Sequence, residues 1–132
     1  TPSKAATPQR LAAIHREFQE LIEEHRPDVV AIERVFFQVN ARTAMGVAQV
    51  SGLAMAVGAA AGAEVVEYTP NQVKEAVAGW GSATKEQMQR MVQSLLSLPD
   101  LPSPPDAADA AAVALCHLAR ASTRHLEKVF KV

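Results

Sequence analysis

The sequence predicts an α/β fold, a mixed sheet flanked by helices in three layers, and three observations carry that prediction. Two short β-branched runs, VVAIE at 29–33 and EVVEY at 64–68, read as strands. Segments with helical periodicity precede, separate and follow them. The resulting order of helix, strand, helix, strand and three helices is the alternation of an α/β domain. Two strands are too few for three layers, so further strands are expected ahead of Thr1.

Thr7 followed by Pro8 offers an N-cap with proline at the first helical position, and Leu11, Ile14, Phe18, Leu21 and Ile22 recur on one face. An amphipathic helix is predicted over 8–25, stopped by Arg26-Pro27-Asp28. The run at 29–33 is apolar until Glu33 and reads as a strand buried on both faces. Residues 41–61 are alanine-rich with Gly46, Gly52 and Gly58, and their length and alanine content favour a helix despite the glycine cost. Its small residues would let another backbone approach, and a homodimer contact is expected there. The second strand at 64–68 runs into Thr69-Pro70-Asn71-Gln72, a capping box with proline at N1, so a short helix should reach about Ala78. Gly79-Trp80-Gly81-Ser82 reads as a turn. Thr84-Lys85-Glu86-Gln87 then caps a helix whose Met88, Met91, Val92, Leu95 and Leu96 should face the core. Four prolines within 98–105 make a rigid connection to a last helix over 106–121, with 123–132 as an unassigned tail.

Apolar residues at 48% and charged residues at 20% exclude a disordered chain. The longest apolar stretch, 50–63, is interrupted by Ser51 and three glycines and is too short to span a membrane. No basic, apolar leader is evident, so a cytoplasmic location is expected, and a start at Thr1 without methionine suggests a fragment or a processed chain. A net charge of −1 gives no general argument for nucleic acid, so any such role must come from local residues. The single cysteine, Cys116, is expected to be buried and inert, and His117 to be a buried structural histidine.

The carboxylates carry the chemistry. In PPDAADA, Asp106 and Asp109 are three residues apart in a helix's first turn and project from one face. Helix capping and complementing the dipole is one reading of the pair. The other is a shared cation, because a divalent ion offsets the repulsion of two close acids far better than a helix terminus does. Glu33 favours the second, since ligands gather at the carboxyl ends of strands in open α/β sheets. Its alternatives are exposure to solvent or pairing with Arg34. A Glu and two Asp form an all-oxygen donor set suited to Mg²⁺ or Mn²⁺ rather than zinc. Two such ions suit hydrolysis of a phosphodiester.

Three stretches, AIERVF at 31–36, NQVKEAVAGWGSATKEQMQRMV at 71–92 and DAADAAAVALCH at 106–117, resemble in order and spacing the RuvC family of Holliday junction resolvases. The resemblance implies an RNase H-like fold and a homodimer that nicks four-way DNA junctions symmetrically in recombination and repair. It also implies Mg²⁺ and a partnership with the RuvAB branch-migration complex. Glu33, Asp106 and Asp109 match three of the family's four metal-binding acids. The fourth, in an Asp-x-Gly segment on the first strand, has no counterpart before Glu33, which implies that about three strands precede Thr1. Lys74 and Lys85 match lysines beside the family's active site, where they would contact phosphate or offset transition-state charge. Phe36 matches an aromatic that stacks on a junction base, and Phe37 is a candidate for the same role. Arg34, Arg42 and Arg90 are candidate phosphate contacts, with ordinary surface charge the alternative for each. Two other functions stay open on sequence alone: a non-catalytic junction-binding module lacking the first acid, and an RNase H-like hydrolase acting on RNA hybrids.

Overall fold

A computed structural model describes the backbone of residues 7–34 and 41–130, and the side chains of 7–34 and 44–122. Phe36 and Phe37 lie outside the described residues, as does the side chain of Arg42. The chain divides into two compact units, Thr1–Glu67 and Tyr68–Val132.

In the first unit, helix α1 (Thr7–His25) leads into strand β1 (Val29–Glu33), helix α2 (Ala41–Ala60) and strand β2 (Glu64–Tyr68), whose last residue opens the second unit. The strands pair in a small parallel sheet, with α2 as the crossover that parallel pairing requires. At the start of the pair, the Glu64 N–H donates to the Asp28 carbonyl at 2.9 Å. α1 packs on α2, and α2 packs on β1. Gly58 makes the close approach possible, because a Cβ there would sit 3.0 Å from Val30 Cγ2 and 3.4 Å from Val65 Cγ2. α2 then ends in a turn that requires glycine. Gly62 adopts φ +88°, its N–H bonds the Ala59 carbonyl at 3.1 Å, and the Ala63 N–H bonds the Gly58 carbonyl at 3.0 Å.

The predicted strand limits are met in both cases, but β1 is half-buried rather than enclosed on both faces, and Glu33 at its end is exposed. A strand in a two-stranded sheet with one helix against it has only part of its surface covered.

The second unit contains α3 (Pro70–Ala78), α4 (Lys85–Leu95) and α5 (Pro105–Phe130), each packed on the other two. Both predicted capping boxes form. Gln72 N–H donates to Thr69 Oγ1 at 3.1 Å and Thr69 N–H to Gln72 Oε1 at 2.8 Å, and Thr84 and Gln87 repeat the pattern at the same distances. Val73 and Val77 of α3, Val92 of α4 and Ala108, Ala112, Val113 and Cys116 of α5 form the core. The alanines let the helices approach closely.

Two expectations are corrected here. Leu95 and Leu96 are exposed, because α4 is closing at Leu95 and its last turn carries them off the buried face that Val92 defines. α5 continues to Phe130 instead of stopping at Ala121, since 122–130 contain no proline or glycine to end it. Among the described residues no helix is long and apolar enough to cross a membrane.

Candidate active site

The acidic pair owes its placement to the packing of α5. Pro105 opens the helix, which puts Asp106 inside the first turn, where its charge complements the helix dipole, rather than at the N-cap. Asp109 lies seven residues, about two turns, before Cys116 and therefore on the same stripe of the helix. Because Cys116 is fully buried, the core fixes the direction in which Asp109 points. At the end of the helix that stripe emerges from the core and meets α4. There the Lys85 ammonium nitrogen stands 3.7 Å from Asp109 Oδ2.

Lys85 is the first residue of α4, held at that point by the Thr84 capping box. A lysine in the first turn is disfavoured by the helix dipole, so a nearby carboxylate offsets an otherwise unfavourable placement. Both side chains keep substantial solvent access, 64% for Lys85 and 47% for Asp109. The pair is therefore open to a ligand and adds little to stability. Lys74 is half-buried on α3, next to the buried Val73.

Further contacts hold α5 against Tyr68 and the start of α3 within the second unit. The Tyr68 hydroxyl and His117 Nδ1 are 2.6 Å apart, with the Tyr68 ring buried at the end of β2. The Arg120 guanidinium carbon lies 5.7 Å from the Tyr68 ring centroid. The Cys116 thiol donates to the Gln72 carbonyl at 3.6 Å in the first turn of α3. Burial pushes the Cys116 thiol above its ordinary value, with Arg120 pulling in the opposite direction, as fits an unreactive cysteine. His117 is half-buried and structural in its contacts. The Tyr68 contact was not legible in sequence, because 49 residues separate the partners.

Glu33 ends β1 in the first unit, and Arg34 beside it reaches Glu67 at 3.4 Å between exposed side chains. Arg90 pairs with Glu86 one turn earlier at 2.9 Å, an ordinary surface ion pair. The structure thus brings Lys85 to Asp109 within the second unit. Among the described residues, no three His, Cys, Asp or Glu side chains are grouped to hold a metal ion. The Asp106–Asp109 pair is nonetheless all-oxygen, exposed and on one turn, the chemistry a hard divalent cation selects.

Comparison with known proteins gives this geometry a family. The sequence profile for crossover junction endodeoxyribonuclease RuvC matches residues 1–117. The chain belongs to the RuvC family. It is 50% identical over all 132 residues to the RuvC of Alkaliphilus metalliredigens, covering 79% of that protein. It is 55% identical to the RuvC of Salinispora arenicola over 89% of this chain and 67% of that one. The solved structure of Thermus thermophilus RuvC superposes with a TM-score of 0.85 at 36% identity, over 93% of this chain and 74% of that one. A second structure, T. thermophilus RuvC in complex with Holliday junction substrate, gives the same score and identity over 92% and 73%. The RNase H-like α/β fold expected from the sequence is therefore the fold of this chain.

Proposed function

We propose that this RuvC-family chain is a crossover junction endodeoxyribonuclease that resolves four-way (Holliday) DNA junctions by metal-dependent hydrolysis during recombination and repair. One observation carries the proposal: its likeness, at 36% identity and a TM-score of 0.85, to a RuvC solved with its junction substrate. The exposed Lys85–Asp109 pair supports it with a cation and a carboxylate that a phosphodiester can approach.

In this proposal residues 1–132 belong to one nuclease domain, and Glu33, Asp106 and Asp109 are the acids that hold metal. A pair of Mg²⁺ or Mn²⁺ ions held there supplies activation of water and stabilisation of the leaving oxygen. The chain's own groups do the rest. Lys85 donates toward the non-bridging oxygens of the scissile phosphate, where charge accumulates, and Lys74 contacts the neighbouring backbone. Arg34 and Arg42 are assigned to flanking phosphates. Phe36 and Phe37 are assigned to bases at the crossover, which they hold unstacked.

A homodimer matches the twofold symmetry of paired cuts, with α2 as the proposed interface. The RuvAB branch-migration complex is the proposed partner assembly, and the cytoplasm, where the DNA lies, the proposed location. The test is nicking of a synthetic four-way junction against linear duplex, with and without Mg²⁺. Paired Mg²⁺-dependent nicks in the junction support the proposal. Junction binding without nicking by the intact protein would instead favour a non-catalytic binding module.

A further inference from the structure

Trp80 is the chain's only tryptophan, yet 49% of its surface is exposed. It sits in the turn between α3 and α4, and that turn is well fixed. On one side Gly79 takes φ +94° and its N–H bonds the Glu75 carbonyl at 3.0 Å, closing α3. On the other side Ala83 is 4% exposed, and the Thr84 capping box starts α4. Gly81 lies close over α3, where a Cβ would meet Glu75 Oε1 at 3.7 Å and Asn71 Cγ at 3.9 Å. The large flat ring is thus presented to solvent by a short segment pinned at both ends. A preorganised aromatic face of this kind loses little conformational freedom when it stacks on a partner.

The turn also lies near the chemistry. Trp80 lies five positions before Lys85, whose ammonium is beside Asp109. Extended chain spans at most about 3.6 Å per residue, so their Cα atoms are no more than roughly 18 Å apart.

On the footing that the chain binds and cuts junctions, we propose that Trp80 stacks on a DNA base face exposed where the four arms meet and so favours junction over duplex. In linear duplex every base is already stacked on both sides, and an aromatic ring must first break that stacking. At a branch point the stack is interrupted, and a base face is available. The ligand class is therefore an exposed base at a discontinuity, and the discrimination comes from shape rather than sequence.

The experiment measures binding in chelator, so that nothing is cut, using a four-way junction and a linear duplex with wild type, Trp80→Phe and Trp80→Ala. Trp80→Phe serves as the fluorescence blank and as the conservative variant. Circular dichroism and thermal melting confirm that each variant folds. Junction should quench the emission that distinguishes wild type from Trp80→Phe. Trp80→Ala should weaken junction binding roughly five- to hundred-fold, with Trp80→Phe recovering most of the loss. Duplex affinity, set mainly by phosphate contacts, should stay within about two-fold. Junction binding with no quenching and an unchanged Trp80→Ala affinity would overturn the role of Trp80 and leave the nuclease proposal standing. Failure of wild type to bind junction at all would overturn both. An unquenched Trp80 whose removal instead lowers the sedimenting mass would make the ring a protein interface and refute the DNA assignment.

Discussion

The ammonium of Lys85 and the carboxylate of Asp109 stand 3.7 Å apart, joining the first residue of α4 to the opening turns of α5. Both groups are accessible, so the contact adds little to stability. In the proposed mechanism the lysine turns from this acid toward a phosphate oxygen as charge develops. Lys85→Gln should leave the melting temperature unchanged and lower the single-turnover cleavage rate by about a hundred-fold. Cleavage at the wild-type rate would make Lys85 an ordinary surface cation.

The Tyr68 hydroxyl contact to His117 Nδ1 is structural, tying the end of β2 to α5. Tyr68→Phe keeps the buried ring and leaves the imidazole nitrogen without that partner, at a cost of about 1–2 kcal/mol. Urea unfolding should show the loss as a lower midpoint with an unchanged slope. A midpoint identical to wild type would mean that water replaces the hydroxyl at no cost.

Gly58 and Gly52 separate packing from assembly on one helix. A Cβ at Gly58 would stand 3.0 Å from Val30 Cγ2, a tight contact that offsets the helix-propensity gain of alanine, so Gly58→Ala should be less stable than Gly52→Ala by about 1 kcal/mol or more. At Gly52 a Cβ would meet nothing within 4 Å, so Gly52→Ala should be neutral or stabilising by up to about 1 kcal/mol. Gly52→Leu should fold normally and shift sedimentation equilibrium from dimer toward monomer. A wild type that is monomeric at every concentration would dispose of α2 as a dimer interface.

Cys116 should set a pH dependence at the alkaline end. Burial raises its folded-state pKa, so the folded chain keeps the thiol proton at pH values where the unfolded chain has begun to release it. Stability from this group is therefore intact below the thiol's ordinary value of 9.0 and declines as pH rises through and above it. Wild type should lose more stability than Cys116→Ala on going from pH 8 to 10 in urea titrations. Labelling of the thiol by a disulfide reagent at pH 8 should proceed only at the rate of unfolding, and rapid labelling of folded protein would show the site to be open.

Much of this molecule is legible in its sequence because its signals are local. Thr69 with Gln72 and Thr84 with Gln87 announce two helix starts, and the β-branched runs at 29–33 and 64–68 give both strands with their limits. The acidic pair is equally local, three residues apart on one turn. The Tyr68–His117 contact is different, because only folding brings residues 49 apart together. Exposure of Leu95 and Leu96 was hidden because periodicity gives a face but not how far along a helix the neighbouring surface extends. The length of α5 was hidden because 122–130 carry no start or stop signal of their own, and only the lack of proline and glycine lets the helix run on.

The most direct test of the junction nuclease assignment is a nicking assay on one synthetic four-way junction and its linear counterpart. It uses the intact protein in Mg²⁺, alongside Glu33→Gln, Asp106→Asn and Asp109→Asn. The expected result is paired nicks in the junction, no cutting of the linear duplex, and loss of nicking in all three variants with junction affinity retained. Equal cutting of both substrates, or wild-type nicking by Asp109→Asn, would contradict it.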